Sequence, residues 1–331
     1  DLPSSDFYAN MGSWGNVSDI ELHQTNQWTH QSGSIDRIEN NTIIMKQPFW
    51  QTASHFREFG VGLAYPQYIE NAYELLDEEG EWYLNRTDGY LYYKPFATQN
   101  INTSEFILGR LEKLVDGNST GSLDDILHNV NFIGLTFAHT TFMGPLTNVG
   151  YAEHQAGITF VNDLYYVYGY GNKDTLSPAA LDFRFSKSIY IGGCTVEHIG
   201  ACGVGFKLGS QFNAIEYNTF RDIGINGINI GDVHYDEGFT GLNELGMTDR
   251  NPTDPRCIIF GNNVSNNTIT RVGANFQGGV GIFAGFVKYT TIDHNTIYDI
   301  PYTGISVGYG WGYADEYANY NPAAIGYNSI T

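Results

Sequence analysis

A short repeat in the second half of the chain constrains the fold more than any other feature. Four segments can be laid over one another: residues 194–209, 218–232, 267–285 and 295–310. In each, apolar residues alternate with polar or small ones in short stretches, and glycines lie where the direction would change. A period in the twenties with two β-rich stretches per copy is typical of a parallel β-helix, each copy forming one rung. The sequence therefore predicts an all-β chain, a right-handed parallel β-helix (solenoid) with a small N-terminal β subdomain. A β-sandwich with chance similarity between segments is the alternative.

One threonine marks the same position in each copy. The intervals between Thr195, Thr219, Thr268 and Thr296 are 24, 49 and 28 residues. Because the middle interval is about one repeat too long, we interpret residues 232–256 as an acidic loop inserted after the strand at 227–231. Loops carried at strand ends by a rigid scaffold commonly hold functional residues.

An asparagine precedes the marker threonine in three copies, as Asn218, Asn267 and Asn295, and Asn328 resembles the start of a further copy. Asparagines repeated at one place in successive rungs can stack, with each amide hydrogen-bonding its neighbours. We therefore predict an asparagine ladder along the solenoid.

The first part of the chain lacks the repeat. We assign residues 1–125 to the N-terminal β subdomain and residues 126–331 to β-helix rungs, the first near Val130. Two aromatic stretches flank the polar turn 85–89, which predicts a β-hairpin. Residues 72–77 are the best candidate for a short helix.

Composition limits which partners and which cellular location we expect. A net charge of −20 argues against nucleic acid and anionic membranes as partners. The absence of an apolar run of about 18 residues predicts that the chain has no membrane span. Glycosylation acceptor motifs, and a start at Asp1 without an apolar leader, favour an extracellular, secreted and processed glycoprotein. The acceptors are Asn16, Asn40, Asn85, Asn102, Asn118, Asn263 and Asn266.

The cysteines are too few for a disulfide scaffold. Cys194, Cys202 and Cys257 predict one disulfide and one buried thiol. The sequence has no metal-ligand spacing, so we expect no metal and no cofactor.

Several strings in order carry a family resemblance: ENAYELLDEEGEWYLNRTDGYLYYKP, GLTFAHTTF, GYAEHQAGI, GVGIFAG and YTGISVGYGWG. Together they resemble the right-handed parallel β-helix proteins among the carbohydrate-active enzymes, and are similar to glycoside hydrolase families 136, 141 and 120. The resemblance implies a glycan or polysaccharide as partner. Such β-helices continue for several rungs beyond the last string, so we hypothesise that a second chain or segment completes the β-helix after Thr331.

Hydrolysis of a glycosidic bond needs two carboxyl groups, one to donate a proton and one to act as nucleophile or base. We predict Asp232 as the first because a rung anchors it directly. Its partner is Asp236 or Asp249, between which the sequence does not choose. The segment 249–256 is similar to a stretch found in these proteins, but Arg250 and Asn251 replace histidines. The predicted substrate-binding residues are His234, Glu237, Gln155, Tyr309 and Trp311.

Other polar residues have simpler interpretations. We expect His139 and His198 to be structural, and Asp182 to pair with Lys207 on a matching strand. The preferred hypothesis is a secreted glycoside hydrolase or a descendant of one. The alternatives are a non-catalytic structural or carbohydrate-binding β-helix glycoprotein, and a polysaccharide lyase, for which alone Ca²⁺ is possible.

Overall fold

The computed structural model describes residues 10–55, 66–118, 124, 126–160, 174–233, 254–308 and 325–331. The chain divides into two compact units. Unit 1 comprises Asp1–Leu108 and Met143–Ala152, and unit 2 comprises Gly109–Phe142 and Glu153–Thr331. The division at residues 125 and 126 expected from the sequence stays a prediction. Within the described part of the chain, no helix is long and apolar enough to cross a membrane.

Unit 2 is built from three stacks of parallel strands. Stack A contains Val115–Asn118, Ala179–Arg184, Cys202–Phe206, Ile228–Gly231, Val280–Gly285 and Thr303–Val307. Stack B contains Asn131–Ile133, Tyr190–Gly192, Ala214–Glu216, Asn263–Ser265, Thr291–Asp293 and Ser329–Ile330. Stack C contains Thr136–Ala138, Thr195–Ile199, Thr219–Ile223, Thr268–Val272 and Thr296–Tyr298. Two shorter parallel pairs join Leu127–His128 with Ser186–Lys187 and Ile259–Phe260 with Val287–Lys288.

The chain visits the stacks in a fixed order, B, C and A, and each circuit forms one rung of a parallel β-helix. The predicted fold class is therefore confirmed. Val115–Asn118 already pairs in parallel with Ala179–Arg184, so a strand of stack A precedes the predicted first rung near Val130. Its sequence, VDGN, lacks the apolar alternation that marks the later strands, which is why the pattern did not reveal it.

The marker threonines pair in one line across stack C. Thr195 pairs with Thr219, and Thr219 pairs directly with Thr268. The interval of 49 residues therefore adds no strand to stack C between Thr219–Ile223 and Thr268–Val272, and the acidic insertion at residues 232–256 stays a prediction. Residues 234–253 of that insertion lie outside the described residues.

Apolar side chains from all three stacks fill the interior of unit 2. Val204, Phe206, Ile228 and Ile230 are fully buried there, and the rings of Phe183 and Phe206 stack with centroids 5.0 Å apart. Burying each such side chain contributes about 1.5–3 kcal/mol. The sequence pattern thus identified the core-facing positions correctly.

The outer face of stack A is buried as well, although alternation suggested an exposed face. Asn229, whose side chain alternates with the core residues Ile228 and Ile230, is 0% exposed. Strands Ile158–Phe160 and Asp174–Leu176 pair antiparallel, and Ile158 and Leu176 belong to an apolar cluster with Phe283 of stack A. A second layer therefore covers part of this face, and a strand pattern alone carries no information about it.

The predicted asparagine ladder is present. Asn218 Nδ2 donates to Asn267 Oδ1 at 3.0 Å, and Asn267 Nδ2 donates to Asn295 Oδ1 at 2.9 Å. Each side-chain oxygen also accepts a backbone N–H from the preceding rung, as in Asn218 N to Asn267 Oδ1 at 3.0 Å. Buried amides in this arrangement satisfy one another without any charge.

A second ladder was missed. Asn213 Nδ2 donates to Asn262 Oδ1 at 3.0 Å. Asn328 Oδ1 accepts from Thr290 N at 2.9 Å, and the strand after Asn328 belongs to stack B. Asn328 therefore lies in the line of Asn213 and Asn262, and its assignment to the Asn295 line was wrong. Strands of stack B and of stack C can both follow an asparagine, so the short sequence 328–330 does not distinguish the two stacks.

Glycines of the repeat form a column in stack A where the strands approach most closely. A Cβ on Gly203 would lie 2.5 Å from Gly227 O, and one on Gly227 would lie 2.6 Å from Gly281 O. Side chains at these positions would push the rungs apart, so the repeat requires glycine there.

The expected disulfide is absent. Cys194, Cys202 and Cys257 are all buried free thiols. The cysteines belong to separate positions of the rungs, and burial raises the pKa of the Cys202 thiol to about 11. They behave as small apolar side chains.

Unit 1 is a small antiparallel β structure. Glu21–Asn26 pairs with both Thr29–Glu39 and Tyr68–Glu70, and Thr29–Glu39 also pairs with Thr42–Met45. The predicted hairpin is confirmed, since Trp82–Asn85 and Tyr90–Tyr93 pair antiparallel. A 3₁₀ turn at Tyr73–Leu75 lies within the predicted short helix. Among the described residues, unit 1 also contains the α-helix Phe49–His55, which was not predicted, and the 3₁₀ turns Met11–Ser13, Val17–Asp19 and Gly144–Leu146.

Titratable side chains are buried together in unit 1. His23 Nδ1 lies 3.0 Å from His30 Nε2, and His23 Nε2 lies 3.8 Å from Glu21 Oε2 and 3.4 Å from Glu70 Oε2. Tyr68 stacks on His23 with ring centroids 4.6 Å apart. Burial lowers the pKa of His23 to about 4, so this imidazole is neutral at physiological pH.

Candidate active site on stack A

Asp232 occupies the end of a stack A strand, immediately after Ile228–Gly231. Its side chain is buried, with 2% of the residue surface exposed. Oδ2 accepts a hydrogen bond from Arg184 Nη2 at 2.6 Å, and Oδ1 accepts one from Val233 N at 2.9 Å. The rung therefore anchors Asp232 as expected, and an arginine two strands away holds its carboxylate.

A second acidic residue lies on the same outward line of stack A. Asp182 precedes Arg184 by two residues, so both side chains leave the same face of the strand. Lys113 Nζ lies 2.9 Å from Asp182 Oδ2, and Lys207 Nζ lies 3.1 Å from Asp182 Oδ1. The predicted pairing of Asp182 with Lys207 is thus present, but both side chains are largely buried and not exposed.

The two acidic residues belong to one charged network. Burial alone would lower the pKa of Lys207, but the carboxylates of Asp182 and Asp232 outweigh burial and raise it. Lys113 also lies 3.7 Å from Asp116. The network therefore joins the cations of Lys113, Arg184 and Lys207 to the carboxylates of Asp116, Asp182 and Asp232.

The chemistry open to this network follows from its charges. A carboxylate beside a cation is favoured in its ionised form. Asp232 next to Arg184 therefore suits the role of nucleophile, base or electrostatic stabiliser of a developing positive charge, and not that of proton donor. A glycosidase built on it needs its acid from another residue.

Gln155 lies at the rim of the covering layer and reaches toward stack A. Gln155 Nε2 donates to the Tyr302 hydroxyl at 2.6 Å. The neighbouring Glu153 is buried, and its Oε1 accepts from Gly157 N at 2.7 Å. The Glu153 carboxylate packs against Gly278, where a Cβ would lie 2.0 Å from Glu153 Oε2 and the carboxylate would have to move.

Sequence reasoning missed Arg184, Lys113 and Tyr302. Tyr302 stands inside the quoted string YTGISVGYGWG, and Arg184 lies two residues after Asp182. Their side chains became candidates only once the strand register placed them beside Asp232 and Gln155. Lys113 precedes a strand with no repeat pattern and gave no signal.

The other predicted site residues lie outside the described residues. They are Asp236 and Asp249 as catalytic partners, and His234, Glu237, Tyr309 and Trp311 as substrate-binding residues. Among the residues that the structure describes, no group of three histidine, cysteine, aspartate or glutamate side chains is placed to hold a metal ion.

The predicted glycosylation acceptors are exposed or half-buried. Asn40, Asn102 and Asn266 are exposed, and Asn118 and Asn263 are half-buried. Two acceptors contact each other in unit 1, where Asn16 Nδ2 donates to Asn85 Oδ1 at 2.9 Å. Glycosylation of any of them stays a prediction.

Comparison with known proteins adds one finding. No family model and no curated protein sequence matches the chain. A glycoside hydrolase has this fold. Its solved structure superposes with a TM-score of 0.70 and 26% sequence identity over 89% of this chain. The chain spans about half of that protein's length, because the match covers 52% of it.

Proposed function

We propose that this chain provides the β-helix of a secreted glycoside hydrolase that cleaves an extracellular glycan. The observation that supports the proposal is the structural likeness to a glycoside hydrolase along 89% of the chain. The sequence motifs resemble those of glycoside hydrolase families 136, 141 and 120, and the proposal includes an activity of that kind.

In this proposal Asp232 is the ionised member of the carboxyl pair. Arg184, 2.6 Å from its carboxylate, keeps it charged and oriented. Asp236 or Asp249 donates the proton to the leaving oxygen. Gln155, hydrogen-bonded to Tyr302, contacts the sugar together with His234, Glu237, Tyr309 and Trp311.

The burial of Asp232 favours a second candidate function. A carboxylate that is 2% exposed and fully paired can equally serve the fold alone, as in a non-catalytic carbohydrate-binding β-helix. The lyase alternative gains no such support, because the cations beside Asp182 and Asp232 are balanced by carboxylates and leave no excess charge for an acidic sugar.

Sugar release separates these functions. The wild-type protein is incubated with neutral oligosaccharides, xylo-oligosaccharides and fucosylated glycans, and products are quantified by chromatography. Removing a catalytic carboxyl group is expected to lower kcat/KM by about 10²- to 10⁴-fold. We expect this loss in Asp232→Asn and in one of Asp236→Asn and Asp249→Asn. Asp36→Asn, which alters an exposed carboxylate of unit 1, is the matched control.

Each result has a separate meaning. Hydrolysis by all three variants at the wild-type rate would show that the carboxyl assignment is wrong. Binding of glycans by wild-type protein without any release of sugar would favour the non-catalytic function. Because Asp232→Asn also alters a buried ion pair, circular dichroism and thermal unfolding must accompany its assay.

A further inference from the structure

A small cavity lies in unit 2 where strands of stack C turn toward stack A. It has a volume of about 310 Å³, and its polar lining residues are Thr140, His198, Asp222 and Asn275. Gly200 and Gly224 contribute backbone alone. None of these residues belongs to the charged network of Asp182 and Asp232, so the cavity is a feature separate from the candidate active site.

The glycine floor follows from how closely the rungs pack. A Cβ on Gly224 would lie 2.1 Å from Gly200 O, and one on Gly200 would lie 2.5 Å from the carbonyl carbon of Thr141. These positions therefore require glycine, and the backbone alone lines this part of the cavity.

Accessible polar groups face this space. The His198 side chain is 49% exposed and its Nδ1 lies 3.7 Å from Asp222 Oδ2. Arg271 Nη2 donates to the same oxygen at 2.8 Å. His139 stacks on His198 with ring centroids 5.1 Å apart and planes at 12°. Both histidines were expected to be structural, but His198 borders an open cavity.

The chemistry of these groups selects a ligand class. Carboxylate, amide, hydroxyl and imidazole groups supply donors and acceptors at short range, and Arg271 offsets the charge of Asp222. The carboxylate in the lining and the net charge of −20 oppose an anionic ligand. Small-molecule sites usually occupy about 300–1,000 Å³, so this cavity accommodates one sugar ring and not a longer segment.

We propose that the cavity lined by His198, Asp222 and Asn275 binds a single neutral sugar residue, free or at the end of a glycan. Asp222 accepts hydrogen bonds from two sugar hydroxyls, with Arg271 fixing the carboxylate. Asn275 and Thr140 supply the remaining polar contacts. This site does not depend on hydrolysis at stack A.

Isothermal titration calorimetry with single sugars tests the proposal. Glucose, galactose, xylose and N-acetylglucosamine are titrated into the whole chain, and the corresponding disaccharides follow. We expect at least one of these sugars to bind, and Asp222→Ala and Asn275→Ala each to weaken its binding by about tenfold or more. Equal affinity for the single sugar and its disaccharide indicates recognition of one ring.

Glu197→Ala is the matched control. Glu197 forms a 2.6 Å ion pair with Arg221 on the same stack but does not line the cavity. Its loss should leave sugar affinity unchanged, and Asp232→Asn should do so as well. No binding by the wild-type chain, equal loss in Glu197→Ala, or loss in Asp232→Asn with retention in Asp222→Ala would each overturn the proposal.

Discussion

The asparagine ladder of unit 2 and the histidine cluster of unit 1 bury polar groups in opposite ways. In unit 2, Asn218, Asn267 and Asn295 form a ladder of uncharged amides that hydrogen-bond one another and the backbone. In unit 1, His23, His30 and Glu21 share a buried site in which every member can titrate. The ladder therefore stabilises its unit equally at every pH, whereas the stability contributed by the cluster depends on pH.

The largest effect is expected from the buried ion pair of Arg184 and Asp232 in unit 2. Arg184→Met leaves the Asp232 carboxylate buried without its cation. Breaking a buried pair from one side costs about 3–5 kcal/mol of unfolding free energy, measured by urea unfolding. The double variant with Asp232→Leu should recover most of this loss. A single variant within about 1 kcal/mol of wild type would show that Asp232 is solvated in the native protein.

Removing a middle ladder amide comes next. Asn267→Ala removes the acceptor for Asn218 N and Asn218 Nδ2 and the donor to Ile215 O. Each buried group left unpaired costs about 1–3 kcal/mol, and losses above about 4 kcal/mol are exceptional, so the three groups predict a total loss of about 3–4 kcal/mol in urea unfolding. The exposed Asn131→Ala on stack B is the control. Equal losses in the two variants would contradict a structural role for the ladder.

The cluster of unit 1 should make the unfolding free energy depend on pH. Burial, with the nearby Glu70 carboxylate, raises the pKa of Glu21 to about 7. The folded state therefore holds a proton that the unfolded state releases, so stability is full at low pH and declines as pH rises toward 7. Glu21→Gln cannot lose this proton. Its stability relative to wild type should rise by about 1–3 kcal/mol between pH 4.5 and 7.

The histidines act in the opposite direction. Burial, with the nearby His23, lowers the pKa of His30 to about 3, so its contribution is present above pH 6.5 and declines as pH falls. Wild type and Glu21→Gln both contain His30, so its contribution cancels in the difference between their unfolding free energies. Asn267→Ala provides the contrast, because its difference from wild type should be constant from pH 4.5 to 8. A flat profile for Glu21→Gln would show that Glu21 is solvated.

The smallest effect belongs to an exposed pair. Arg221 Nη2 lies 2.6 Å from Glu197 Oε2 on stack C, with 48% of the Arg221 side chain exposed. Exposed pairs contribute about 0–1 kcal/mol and are screened by salt. Arg221→Met should therefore lower the unfolding free energy by less than about 1 kcal/mol at low salt and by less still at 1 M salt. If Arg221→Met lowered the unfolding free energy as much as Arg184→Met does, exposed and buried ion pairs would contribute equally, which would contradict the prediction.

The sequence predicted the features that repeat. The alternation of Ile228 and Ile230, the glycines and the Asn218 ladder depend on local periodicity, which a single sequence displays. It did not predict the contacts of Arg184 with Asp232 or of Asn328 with Thr290, because strand register brings together residues distant in the chain. Unit 1 was predicted least, since antiparallel strands of irregular length leave no period, and only its hairpin had a local turn signal.

Thr219 pairs directly with Thr268. The residues between Gly231 and Cys257 therefore do not disturb the pairing of the rungs on either side. Joining two strand ends through a longer loop costs little free energy, about 0.6 kcal/mol for each doubling of loop length. This point of the rung is therefore an attachment point for loops of variable length. Segments of different length and chemistry can be exchanged there while the rungs keep their partners, which makes the position a natural place for specificity to diverge and for a foreign peptide to be grafted.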